Sequence, residues 1–308
     1  MTTAKDQKGD LREAKRPALV EASLLLTVFF FGTNFTAVKY VVESVPPILF
    51  AATRFTLAGL LLLVVVRLFE PGSRLRREDF LLVLGLGVVG VTLTQTVFTL
   101  GVSFTTAANT ALVYSTAPVW GMLLGFTLGL ERPRLAGILG IGLSLVGVGF
   151  IVYGGLEFTG TSLVGDALIL AAAVFWGSYT VLSLSLLERY SPVALAAYAM
   201  TLGGLAAFPL AALDTGGFDP GAIDAMTWGA AAYSGLFSSA FGFAAWGWGV
   251  SHVGANRVLI YQYLVTLIGV TTGILLLGED FGLGQLVGAA VILCGVYLAR
   301  KRSAVRNQ

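Results

Sequence analysis

The sequence predicts an all-α integral membrane protein, with ten transmembrane helices in two inverted five-helix repeats around a central cavity. Three observations carry this. The 308 residues are 56% hydrophobic and only 12% charged, where a soluble chain carries roughly a quarter charged residues. The apolar residues gather into ten runs of the length that crosses a bilayer, roughly twenty residues each. The two halves also match each other in order along most of their length.

The runs cover about 18–41, 46–68, 80–101, 107–129, 134–154, 163–187, 192–213, 227–249, 255–277 and 281–299. Short connections carry turn signals such as Pro46-Pro47, Pro71-Gly72, Ser191-Pro192 and Gly216-Gly217 through Pro220. The first run is too long for the apolar core of a cleaved signal peptide and reads as a retained span. Residues 1–17 and 300–308 read as cytoplasmic tails, 18–154 as the first repeat and 163–299 as the second.

Charge placement sets orientation. With the N-terminus in the cytoplasm, 17 of the 19 Lys and Arg residues fall in cytoplasmic segments and none in the opposite loops. Lys39 and Arg54 lie inside runs, and the opposite loops carry acids such as Glu43, Glu157, Asp219 and Asp224. This is the positive-inside pattern. It predicts a multi-pass protein of the cytoplasmic (inner) membrane, with both termini cytoplasmic and lipid as its surroundings.

The repeat runs at nearly constant offset. At 145, Gly32, Pro47 and Gly59 meet Gly177, Pro192 and Gly204; at 148, Gly101-Val102-Ser103 meets Gly249-Val250-Ser251, and Glu131 meets Glu279. Five spans per unit invert the second unit, the common plan of secondary transporters with a site near the midplane.

Several motifs carry no chemistry. Gly85-Leu-Gly87-Val-Val-Gly90 lies in an apolar run, not between a strand and a helix, so it is no dinucleotide fingerprint. The chain has no Gly-Lys pair and hence no Walker A loop; one His and one Cys make neither a metal set nor a nucleophile–base pair. No enzyme, cofactor or metal is expected, and a net charge of +2 argues against a nucleic-acid partner. The Gly121, Gly125, Gly129 stripe and its mates Gly269 and Gly273 read as packing seams.

The candidate substrate site follows from polar and aromatic residues at helical spacing. Arg54 sits roughly 12 Å into the second run, where a charge costs about 2.5–3.5 kcal/mol and belongs in the interior or a wet cavity. It reads either as a carboxylate clamp or as a side chain bonded to backbone or snorkelling toward Glu43. Phe31 and Asn34 are the repeat mates of Trp176 and Tyr179. Gln95, Trp120, Tyr261 and Gln262 complete the set, and Pro118 frees the carbonyl of Tyr114. Trp228, Trp246 and Trp248 read as interfacial belt residues, Lys39 as snorkelling at the outer mouth.

The Pro46-Pro47…Arg54-Phe55 pattern, Ala117-Pro118-Val119-Trp120 followed by Leu130-Glu131-Arg132, and Leu277-Gly278-Glu279-Asp280 followed by Val287 through Leu298 resemble one family. This is the EamA-type branch of the drug/metabolite transporter superfamily, with its YddG-like ten-helix exporters. The resemblance spans about residues 20–300. It implies a secondary transporter or facilitator, an exporter of small organic metabolites such as aromatic or other hydrophobic amino acids. The alternatives are a non-transporting membrane scaffold and, within transport, a proton-coupled drug or amine exporter. One departure stands out: the family often has a proline thirteen residues before its second-half glutamate, and Thr266 stands there.

Overall fold

The structure is a computed structural model that describes residues 4–129, 135–154, 160–213, 215 and 218–300; for residues 4–17 it gives the helical backbone alone. Glu131, Arg132, Arg134, Glu157, Asp214, Gly216, Gly217 and 301–308 lie outside the described residues. The described chain is helical, and its helices group into rods. The unbroken ones are α1 (Ala4–Val42), α2 (Pro47–Phe69), α5 (Leu135–Gly154), α6 (Gly160–Leu187), α7 (Pro192–Ala211) and α10 (Leu283–Arg300). Four others are interrupted. Rod α3 joins Phe80–Gly87 to Thr94–Phe104 through a π-helical Val88–Leu93, and α8 joins Ala225–Tyr233 to Phe243–Val253 through a π-helical Ser234–Gly242. Rod α4 is Ala107–Tyr114 followed by Ala117–Thr127, and α9 is Ala255–Val258, a 3-10 turn Leu259–Tyr261 and Gln262–Leu277.

Among the described residues, six stretches are long and apolar enough to cross a membrane: Ala18–Val42, Pro47–Phe69, Arg77–Phe104, Ser162–Leu187, Pro192–Ala211 and Leu259–Leu277. Ile138–Ile151 and Leu283–Gly295 are shorter apolar helices. The 107–129 run, expected as one span, breaks at Ser115-Thr116, because Pro118 cannot donate to the Tyr114 carbonyl. Helix α1 also begins well before the expected start of its span, since nothing between Ala4 and Pro17 terminates it.

Equivalent rods break at equivalent places. An offset of 148 carries Val88–Leu93 onto Leu236–Phe241, within the π segment of α8, and carries Tyr114 onto Gln262, at the interruption of α9. A π turn adds a residue per turn and shifts the register of everything beyond it. Such turns place Ser234 and Ser238 inward, where both are buried.

Rods pack on small residues. A Cβ on Gly59 would come within 2.5 Å of the Thr201 backbone nitrogen, and one on its mate Gly204 within 2.7 Å of the Thr56 nitrogen, so α2 and α7 touch backbone to backbone. Rods α5 and α10 meet the same way at Gly147, Gly288 and Gly295. Where lipid offers no hydrophobic drive, close approach supplies the dispersion contact instead. The expected seams hold at Gly121, Gly269 and Gly273. Gly129 is different: at φ +71° with nothing near its α-carbon, it ends the helix rather than packing it.

The basic-loop side of the two halves is tied together. Asp79, buried before α3, accepts from Arg189 as an ion pair and from the Tyr190 hydroxyl at 2.8 Å. Ser191 donates to Glu70, and the Tyr198 hydroxyl to the Ser73 carbonyl at 2.8 Å.

Candidate functional site

Between the halves lies a polar and aromatic cavity of about 40 Å³, room for a few ordered waters. Of the nine candidate residues, Phe31, Asn34, Arg54, Gln95, Trp176 and Gln262 line it. Phe35, Phe55, Phe98, Tyr114, Ser238, Phe243 and Val265 complete the wall. Much of this wall pairs off by the repeat: Phe31 with Trp176, Gln95 with Phe243, and Tyr114 with Gln262. The helix interruptions therefore ring the cavity.

Arg54 is the centre. Its guanidinium is 4% exposed. One terminal nitrogen donates to Ser234 Oγ at 2.6 Å, and Ser234 donates on to Asn34 Oδ1 at 2.5 Å; the other donates to Gln95 Oε1 at 2.9 Å. Its Cζ lies 4.6 Å from the Phe55 ring centroid and 5.0 Å from that of Phe50, stacking that suits a weakly hydrated guanidinium. Every hydrogen-bond partner is neutral. The ion pairs of the described residues are Arg76–Glu78 and Arg189–Asp79, so Arg54 has no carboxylate, and its Nε has no hydrogen-bond partner. It does not reach Glu43.

Around this cation polar atoms stand open. Both Gln262 amide atoms and Trp176 Nε1 are buried without partners. Buried polar groups normally find partners, and those that do not mark a site awaiting water, ion or ligand. Trp176 stacks on Tyr179 at 5.4 Å and meets Phe31 edge-on at 5.9 Å and Phe243 at 5.1 Å.

Three candidates are not in the wall. Tyr179 stands behind Trp176 and presses on Gly90. Trp120 is half-buried and donates to its own helix, Nε1 to Thr116 Oγ1 at 3.2 Å. Tyr261 is half-buried on the 3-10 turn preceding Gln262, which aims it away. Other assignments change as well. Trp246 is 1% exposed, packs on Trp176 and Phe31 and donates to Thr180 Oγ1 at 3.3 Å, so it belongs to the core, not a belt. Trp228 is exposed, as a belt residue is; Trp248 is half-buried, edge-on to His252. Lys39 donates to the Val102 and Thr105 carbonyls at 3.1 and 2.8 Å instead of snorkelling free. Cys294 is exposed. Thr266, in the place of the expected proline, donates to the Gln262 carbonyl at 2.9 Å and the Ala111 carbonyl at 3.2 Å, lacing α9 to α4.

Reasoning from sequence missed Ser234, which holds Arg54 and Asn34 together. Serine in an apolar run carries no signal of its own.

A deep cation in an aromatic chamber, between two like halves of apolar helices, defines a multi-pass membrane transporter. Residues 19–153 and 163–300 match the EamA-like transporter family, and the chain belongs to it. An uncharacterized transporter of Archaeoglobus fulgidus is 30% identical over 285 residues, covering 91% of this chain and 98% of that one. A Streptantibioticus cattleyicolor protein named a probable terminal-alkyne amino-acid exporter is 28% identical, covering 93% and 95%. A solved crystal structure at 20% identity matches 93% of this chain and 99% of its own with a TM-score of 0.64, and so shares the fold.

Proposed function

We propose that this protein exports small organic carboxylates, amino acids with aromatic or other hydrophobic side chains foremost, across the cytoplasmic membrane. Its ten rods cross that membrane as two inverted units, with both termini inside. The observation that carries the reading is Arg54: a buried guanidinium at the central cavity whose partners are all neutral. A charge-assisted hydrogen bond contributes about 1.5–3 kcal/mol, and a carboxylate is the partner this site lacks. The aromatic wall supplies stacking surface for a side chain, with ring pairs worth about 0.5–1.5 kcal/mol beyond burial. The name of the Streptantibioticus cattleyicolor relative, a probable terminal-alkyne amino-acid exporter, supports the same class of cargo. The cavity holds only a few waters in this conformation, so loading requires the halves to part. An amine exporter fits less well, because an unneutralised arginine repels a cationic cargo.

The test is uptake and efflux in liposomes with phenylalanine and phenylalaninamide as a matched pair. Arg54→Gln weakens handling of the acid by about tenfold or more and that of the amide much less. Equal losses for both, at unchanged thermal stability, would leave Arg54 a structural residue and overturn the reading.

A further inference from the structure

Arg54 borders two voids, not one. Beside the central cavity, a groove of about 630 Å³ runs between α2 and α8. Val45, Phe218 and Trp228 form its upper rim, Leu57 and Leu61 its far end, and Arg54 and Gly235 its inner wall. The lining is otherwise apolar but for Thr53 and Thr227. Thr53 Oγ1 is bonded to its own helix at 2.7 Å, and the Thr227 nitrogen to Asp224 at 2.6 Å. Leu57 and Trp228 are 66% and 54% exposed, so the groove faces outward between the rods. A Cβ on Gly235 would meet only Arg54 Cγ, at 3.8 Å, so the arginine stem borders the groove there.

The volumes decide what this means. The central cavity holds about 40 Å³, the groove about 630 Å³. With the halves as close as they are here, a carboxylate at Arg54 finds room for an apolar body on the groove side. Resting on the carboxylate reading above, we infer that the groove is a second subsite, which takes the alkyl chain of the cargo while Arg54 holds its carboxylate. Within the proposed class, the groove favours carboxylates bearing a flexible apolar chain. Charge complementarity selects this occupant over a bilayer lipid, whose tail has no use for a buried cation at mid-groove. Each methylene leaving water for the groove tightens binding by roughly fourfold when fully buried.

The experiment measures Kd by calorimetry for 2-aminobutyrate and 2-aminodecanoate on the full chain in phosphatidylcholine nanodiscs, with empty nanodiscs as the blank. With its six further methylenes buried, the longer chain is favoured in the wild type by on the order of a thousandfold. Ala232→Trp and, as a second variant on a lipid-exposed position, Leu57→Trp each fill the groove and cut that ratio by about tenfold or more. Arg54→Gln weakens both ligands. An undiminished ratio in both groove variants, with Arg54→Gln still weakening both ligands, overturns the groove subsite alone and makes the groove a seat for lipid. A diminished ratio with neither ligand responding to Arg54→Gln overturns the head-group assignment together with the carboxylate reading.

Discussion

Two buried indoles show how a single hydrogen bond divides structure from site. Trp246 Nε1 donates to Thr180, whereas Trp176 Nε1, one ring away, has no partner. Replacing either by Phe trims the same atoms, yet only Trp246→Phe removes a bond and leaves a buried hydroxyl to find another donor. A net hydrogen bond is worth about 1 kcal/mol. Trp246→Phe is therefore expected to cost about 1 kcal/mol more than Trp176→Phe, read as thermal midpoints of the purified protein. Equal midpoints would mean that Trp176 Nε1 has a water partner as good as Thr180. Arg54 belongs to the same scale. Ser234→Ala removes one of its two side-chain acceptors and loosens Asn34, so this variant should lose stability by about 1.5–3 kcal/mol, and added carboxylate ligand should restore part of it.

At the scale of elements, backbone contact governs. Gly147 faces the Gly288 carbonyl so closely that a Cβ would stand 2.8 Å from it. Gly142, on the same helix, has nothing within 4 Å. Gly147→Ala is expected to destabilise by about 1–3 kcal/mol through overpacking, while Gly142→Ala, free of clash and better in a helix, should cost nothing; paired unfolding midpoints check this. Asp224 marks the start of α8 in a different way. Its carboxylate accepts from the Thr227 backbone nitrogen, which holds its pKa below the ordinary aspartate value. Because the folded value is the lower one, the cap is fully in place at neutral pH and is lost as pH falls below that ordinary value. Amide exchange at 225–228 should rise over that acid range in the wild type, and already at neutral pH in Asp224→Ala.

The elements also show what the sequence could carry. Arg54, Gln95 and Gln262 were legible because polar groups inside apolar runs stand out against their surroundings. Tyr261 and Trp120 were misplaced because straight-helix spacing does not apply across a 3-10 turn or a proline break. The π segments have no compositional mark, so the inward turn of Ser234 and Trp246 was invisible. Gly129 continued a spacing of four onto a residue that had already left the helix.

For the whole molecule, the bonds around Asp79 tie the halves together on the basic-loop side, and the groove lies at the other side. Asp79→Asn removes the Arg189 ion pair and should loosen that side. Expected is increased labelling of a cysteine introduced at Ser73, in a background lacking Cys294; unchanged labelling would show that these bonds do not set the conformation. Energy coupling is a second property of the whole. No acid is among the residues lining the cavity. Asp166, buried near the start of α6, accepts from Thr105 at 2.8 Å, and Glu279 caps α4 at the Ala107 and Ala108 nitrogens. Both serve as structural acceptors. Transport should survive Glu21→Gln, Asp166→Asn, Glu131→Gln and Glu279→Gln, one at a time, in folded protein. Loss of pH-driven flux with downhill flux retained in any of them would locate a proton site that this reading does not contain.

The repeat mate of Arg54 is Ala199, so a scaffold with two like halves carries one unmatched charge. A charge crossing the full potential of an energised membrane exchanges about 2.3 kcal/mol per 100 mV. On the export reading proposed above, a negative interior would draw the guanidinium inward and favour the unloaded protein in the state that accepts cargo from the cytoplasm. Voltage thus becomes a resetting force that needs no coupled ion. Proteoliposomes on a solid-supported electrode should show a charge displacement without cargo, and Arg54→Gln should abolish it.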